Sequence, residues 1–231
     1  MSRPSAPGRA ALAPGDLTRW HLLKAAIVVF AGNAYEGATT RKISQEAGAG
    51  IAAIWFHFGG KDGLYLEALR FSGRLAARMA ARVPDLPAEG DPAPAAREAL
   101  RALCALVPGA GLPGPAGPRL GKVVVALLAR AMASPREGTE AAAAEAIRPL
   151  VLRLEACVAA LRPDLDEPAR AWMVLEIENL LLLPLRRPGL LARAPAGFDP
   201  GLPALIAHVL ESGRWRTQSE LPRMAPPAPI P

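Results

Sequence analysis

The sequence predicts an all-α protein, with a compact group of short helices near the N-terminus and a longer helical bundle behind it. Three observations predict this. Segments rich in Ala, Leu, Arg and Glu place apolar residues three and four apart, and no stretch alternates as a strand would. The 25 prolines and 21 glycines cluster between those segments instead of scattering through them. The charge is also uneven. Residues 1–83 hold eleven Lys/Arg against five Asp/Glu, whereas residues 84–231 hold sixteen of each, so the net charge of +6 sits in the first third. That asymmetry calls for a polyanionic partner there, nucleic acid first and anionic membrane second.

In chain order, residues 1–15 read as a Pro/Ala-rich arm. A helix follows over about 17–32, where Leu23, Ile27 and Phe30, with Leu22 and Ala26, form one apolar stripe. Asp16 or Thr18 can cap its start. It ends near Gly32-Asn33. Helices are then expected over 40–47, 51–57, 61–82, 95–107, 119–133, 139–161, 167–183 and 202–214, separated by Pro/Gly-rich connections at 84–94, 108–118 and 184–203. Residues 221–231 form a frayed tail. The segments 139–161 and 167–183, joined by Arg162-Pro163-Asp164, suit an antiparallel hairpin.

Composition excludes several classes. With 51% hydrophobic residues, disorder over most of the chain is not expected. No apolar run approaches the roughly 18 residues of a membrane span, and the first residues lack a signal-peptide core. Cys104 and Cys157 make no disulfide framework, and three histidines make no metal site. No nucleophile–base constellation or metal-ligand spacing points to an enzyme, and no cofactor is implied.

The functional signal lies in residues 39–61. Thr39 or Thr40 is placed to cap a short helix whose Ile43 and Ala47 point inward. Gly48-Ala49-Gly50 breaks that helix, and another begins at once at Ile51. Two short helices around a three-residue glycine turn form a helix-turn-helix, which lays its second helix in a DNA major groove. Thr39, Thr40 and Arg41 combine hydroxyls, free N–H groups and the positive end of a helix into a phosphate grip. Lys61 opens the next helix, where a cation opposes the helix dipole and benefits from a phosphate; adjacent Asp62 is the alternative compensation. Lys42 and Arg19 are further candidates. Along the second helix, Ala52 and Ala53 can offer methyls to thymine, and Gly50 allows close backbone approach. Trp55 and His57 can donate to phosphate, and Ile54 and Phe58 face inward. With so few base-edge donors, thymine contacts, DNA shape and half-site spacing are expected to carry specificity.

The order L-L-x-A-A-x-x-x-F-A, Y-x-G-A-T-T-R-x-I, A-G and H-F-x-x-K across residues 18–65 resembles the DNA-binding domain of TetR/AcrR-type transcriptional regulators. The run I-A-A-I-x-x-H-F-G-x-K is similar to the CecR (CerR C-terminal domain) subgroup, as are V-V-V-A-L-L-A-R-A-M-A-S-P at 123–135 and I-R-P-L-V-x-R-L at 147–154. The resemblance implies a domain over 16–62 that binds double-stranded operator DNA through Thr39, Thr40, Arg41, Ala49, Gly50, Ala52, Ala53, Trp55, Phe56, His57 and Lys61. It implies a ligand-binding and dimerisation domain over 63–215, followed by a tail at 216–231. Three positions depart from the pattern. Ala34 replaces the usual glycine before Tyr35, so Asn33 or Ala34 must take up the turn conformation. Gly50 replaces a Ser/Asn-like turn residue, and Trp55-Phe56 replaces a tyrosine.

A single reading head covers only half a site, so a two-fold dimer on a near-palindrome is expected. The apolar residues of 167–183 exceed one helical face, and Leu175, Glu178 and Leu182 are candidates for the dimer contact. Candidates for lining an effector site are Cys104, Met132, Trp172, Met173, Glu176 and Phe198, each of which also suits an ordinary core. The expected protein is a homodimeric repressor in the bacterial cytoplasm, on the nucleoid when bound, released from its operator by a small molecule and without a membrane partner. The alternative is a dimeric small-molecule-binding or interaction protein of the same fold with little sequence-specific DNA binding.

Overall fold

The computed structural model describes residues 13–106, 119–186 and 201–211. Within them the chain is helical, with no strand. The element order is α1 (Pro14–Gly32), α2 (Thr40–Ala47), α3 (Ile51–Phe58), α4 (Lys61–Ala80), α5 (Ala93–Leu106), α6 (Arg119–Ala133), α7 (Glu140–Leu161), α8 (Glu167–Arg186) and α9 (Gly201–Glu211). The expected segments all appear, most with ends shifted by one to three residues.

Helix α1 begins earlier than its expected caps. Pro14 occupies the first turn after Ala13, where its missing N–H and fixed φ are tolerated, and no side chain caps the end. Asp16 instead sits in the first turn, favourably placed for the dipole. Leu22, Leu23, Ala26, Ile27 and Phe30 are buried as the stripe required. The turn after α1 corrects a second expectation, since neither Asn33 nor Ala34 adopts a left-handed conformation. Asn33 is extended, and both its backbone N–H (3.0 Å) and its Nδ2 (2.8 Å) donate to the Val29 carbonyl. The side chain supplies the helix-end satisfaction that a glycine turn otherwise provides.

Between α2 and α3 the chain turns at Gly48, whose φ of 64° is left-handed and favours glycine. A different constraint sets α4 against α3. A Cβ on Gly63 would lie 1.9 Å from the Phe58 carbonyl oxygen, so only glycine lets the first turn of α4 sit over the end of α3.

Two cores organise the molecule. The first joins α1–α4 to α6 and α7 through Ile43, Ile54, Leu64, Leu69, Leu127, Leu128 and Ala146. The second joins α5, α7, α8 and α9 through Leu103, Cys157, Met173, Ile177 and Ile206. Helix α4 runs from the helix-turn-helix into contact with α6 and α7, so the first core continues across residues 62 and 63. Helices α7 and α8 pack together, and Arg162 between them pairs with Asp164 through two hydrogen bonds and donates to the Leu210 carbonyl at 2.9 Å.

Candidate nucleic-acid interface

The site is built upward from the start of α2. Thr39, not Thr40, is the cap: its Oγ1 accepts from the Lys42 N–H at 3.2 Å, and Thr40 becomes the first helical residue, half-buried. Arg41 is exposed and has no ion-pair partner among the described residues. Lys42, by contrast, is engaged inside the protein. Its Nζ donates to the Gly37 carbonyl at 3.2 Å and to Asn33 Oδ1 at 3.5 Å, which ties the α1–α2 loop to α2. Arg19 is similarly occupied, paired with Glu67 at 3.5 Å and lying over the Phe58 ring at 5.2 Å.

Helix α3 turns Ile54 fully into the first core. Ala49, Ala53 and Phe58 pack partly against the same core. Gly50 caps the start of α3 and is exposed. Residues 51, 52, 55 and 56 face away: Ile51 is 45% exposed, Trp55 64% and Phe56 85%, with Ala52 exposed beside them. His57 is half-buried, its ring edge-on to Phe56 and Phe58.

Lys61 does not stand free at the start of α4. Its Nζ lies 3.9 Å from the centre of the Tyr35 ring, and burial lowers its pKa, with Arg136 adding to the effect and Glu36 and Asp62 opposing it. Asp62 is not spent on Lys61: it accepts from the Tyr35 hydroxyl and pairs with Arg136 at 3.3 Å. The Tyr35 hydroxyl is held protonated, its pKa raised by burial first and by the bond to Asp62 next.

Arg136, in the α6–α7 connection, is the residue that sequence reasoning missed. It pairs with Glu36 (3.4 Å) and Asp62, and its guanidinium stacks on Tyr35. One turn back, Arg130 Nε donates to the Ala31 carbonyl at 3.1 Å. These partners lie 74 to 101 residues away in sequence, beyond any local periodicity. The only sequence signal was the run ending at Pro135, which stops one residue short.

In the C-terminal helices, a cavity of about 310 Å³ is lined mainly by aliphatic side chains of α5–α8, including Leu103, Val125, Met132 and Ile147. Arg148 and Glu178 are its charged residues. Burial raises the Glu178 pKa, and nearby Glu155 adds to the shift. A second cavity of about 540 Å³ lies between α5 and α9, with Arg97, Arg101, Cys104 and Arg162 among its lining residues. Of the effector candidates, Met132 lines the first cavity and Cys104 the second. Met173 is fully buried in the second core, Trp172 and Glu176 face outward, and Phe198 lies outside the described residues. Of the dimer candidates, Leu175 shares the exposed face of Trp172, whereas Glu178 and Leu182 line the first cavity. Both cysteines are unbridged, with burial pushing each thiol up to about 11, which leaves them unreactive at neutral pH. Among the described residues no group of His, Cys, Asp or Glu is arranged to hold a metal, and no helix is long and apolar enough to cross a membrane.

Residues 22–68 match the family described as bacterial regulatory proteins, tetR family. The HTH-type transcriptional repressor AcnR of Corynebacterium efficiens is 40% identical over 68 residues, which are 29% of this chain and 35% of the relative. AcnR of Corynebacterium glutamicum is 41% identical over 63 residues, 27% and 32% of the two chains. The chain thus spans about a third of the length of the curated relatives it matches. Solved structures extend the likeness in fold. A TetR family member from Streptomyces coelicolor A3 aligns over 83% of this chain and 97% of its own, at 23% identity and a TM-score of 0.52. A transcriptional regulator from Rhodococcus sp. Rha1 gives 87%, 97%, 23% and 0.52. The multidrug binding protein EbrR, solved with malachite green, gives 83%, 96%, 21% and 0.50. The family is described as regulatory proteins and both relatives as transcriptional repressors. Over its N-terminal helices, then, the chain is similar to the tetR family of bacterial regulatory proteins, and over most of its length it shares the fold of solved TetR-type regulators.

Proposed function

We propose that the chain is a homodimeric transcription regulator, a repressor that grips a palindromic operator and is released by a small molecule. One observation carries this reading: α3 presents an outward face after a turn that Gly48 holds in the left-handed region, and Arg41 in the first turn of α2 is exposed with no ion-pair partner among the described residues. The family match over residues 22–68 and the likeness to the AcnR repressor support it. Residues 16–62 act as the reading head and 63–215 as the ligand-binding and dimerisation part, with an arm before and a tail after. Trp172 and Leu175 on the outward side of α8 offer an apolar face for a second copy, which supplies the second half-site contact. The aliphatic cavity that Met132 lines suits a small apolar effector, and EbrR, solved with malachite green, is a precedent for an organic small molecule bound in this fold. Met132 lies four residues before Arg136, so a ligand that displaces α6 pulls on the contact to Tyr35, Glu36 and Asp62. The CecR-like runs at 123–135 and 147–154 support a reading of the chain as similar to that subgroup, acting in the cytoplasm and on the nucleoid when bound.

Mobility-shift titration against DNA upstream of the chain's own gene tests the proposal. A discrete complex that competitor DNA of random sequence does not displace supports it. The apolar character of α3 favours one rival, a dimeric small-molecule-binding protein of this fold. That rival predicts thermal stabilisation by ligands with no duplex preferred over any other.

A further inference from the structure

Resting on the reading of residues 16–62 as a DNA-binding head, we propose that Phe56 determines operator specificity by reading thymine C5-methyl groups in the major groove. Recognition is then apolar, and base-edge hydrogen bonds contribute little. Ile51, Ala52, Trp55 and Phe56 stand at i, i+1, i+4 and i+5 of an eight-residue helix whose opposite side buries Ile54. Apart from the Trp55 indole N–H, no side chain on this face can exchange a hydrogen bond with a base edge.

The two aromatic rings are placed differently. Trp55 lies against Gly60, where an added Cβ would come 3.0 Å from the indole, so this ring is drawn toward the α3–α4 turn. Phe56 projects further; among the described residues its ring meets one other ring, His57, edge-on with centroids 4.9 Å apart. Ala53, the other sequence candidate for a methyl contact, packs partly against the first core.

Ile51, Trp55 and Phe56 together leave an apolar patch exposed on one short helix, and a contiguous patch of this kind marks a surface that a partner covers. The charge nearest in sequence favours duplex DNA as that partner. Arg41, in the first turn of α2, is exposed with no ion-pair partner among the described residues, and a free cation on the helix that leads into this one suits a groove walled by phosphates. Within the major groove the thymine C5 substituent is the one methyl group among the base edges. Thymines facing Phe56 are therefore fixed, while the remaining positions are selected through DNA shape.

Deoxyuridine tests this directly, because it lacks the methyl group and keeps every hydrogen-bonding group of thymine. A duplex is first enriched from random sequence with the full chain, and each dT is then replaced singly by dU. At the contacted positions dU weakens wild-type binding about fourfold, the scale of one buried methyl group. Phe56→Ala binds more weakly and no longer distinguishes dT from dU, and Phe56→Leu keeps part of the discrimination. The side chain is exposed, so the thermal midpoint of each variant stays near wild type. Equal affinity for dT and dU at every position overturns the proposal, and so does discrimination that survives Phe56→Ala. If Phe56→Ala changes the oligomeric mass and not the discrimination, the face belongs to a second copy of the chain. A selection that enriches nothing overturns the regulator reading and this inference together.

Discussion

The guanidinium of Arg136 lies 3.6 Å from the centre of the Tyr35 ring, so a residue of the α6–α7 connection rests on the loop that leads into α2. The same side chain reaches Glu36 and Asp62, and Lys61 lies over the same tyrosine. One cationic side chain from the C-terminal helices thereby holds both the entry to α2 and the start of α4. Each ion pair is partly exposed and individually weak, whereas the stacked, shared arrangement adds cation–π attraction.

Arg136→Ala is expected to lower stability by about 1 kcal/mol, a drop of a few degrees in Tm for a chain of this size. Amides of residues 33–38 exchange faster in this variant, while those of the second core do not change. Unchanged exchange in the 33–38 loop would show that the contact restrains nothing.

Gly63→Ala places a methyl group against the Phe58 carbonyl oxygen and forces α4 away from α3. Overpacking of this kind costs about 1–3 kcal/mol. DNA affinity falls more than stability does, because α3 is tilted within its groove. Differential scanning calorimetry and a binding isotherm on the same preparation separate the two effects.

The cations around α2 divide by what they touch. Arg41→Ala is expected to leave Tm unchanged and to reduce the dependence of log K on log salt by about one unit, the signature of one lost phosphate contact. Lys42→Ala instead loosens the α1–α2 loop, because its ammonium is bonded to Gly37 and Asn33. It lowers Tm and changes the salt slope less than Arg41→Ala does. Thr39→Ala removes the cap and costs about 1 kcal/mol, which Thr39→Ser largely restores. The opposite ranking of Arg41 and Lys42 in the two assays would reverse their assigned roles.

Glu178 predicts a pH dependence. Burial raises its folded-state pKa above the ordinary 4.5, so the folded state binds the proton more tightly than the unfolded chain. The resulting stabilisation is fully present below the unfolded pKa and is lost as pH rises through the raised folded value. Glu178→Gln is therefore expected to be more stable than wild type at neutral pH, with the difference shrinking toward pH 4. Thermal melts across that range check the sign.

Much of this architecture is legible residue by residue. The Leu23, Ile27 and Phe30 stripe announces α1, Gly48 announces the turn into α3, and Ile54 is read as inward and is fully buried. Local periodicity and turn chemistry suffice for such features. Competition between groups at one position is harder to read. Asn33 replaces a missing glycine through its side-chain amide, and Pro14 starts α1 ahead of Asp16 and Thr18. Contacts distant in the chain leave no local trace at all, which is why Arg136 on Tyr35 emerges only from the packed structure. The exposure of Phe56 next to half-buried Ala53 is likewise set by how α3 rolls against α1 and α4.

Fluorescence anisotropy of a labelled duplex, titrated with the chain at two salt concentrations, tests the central claim most directly. The account predicts that an enriched duplex binds far more tightly than its scrambled counterpart, and that both affinities fall steeply as salt rises. Equal affinity for the two duplexes, unaffected by salt, would contradict it.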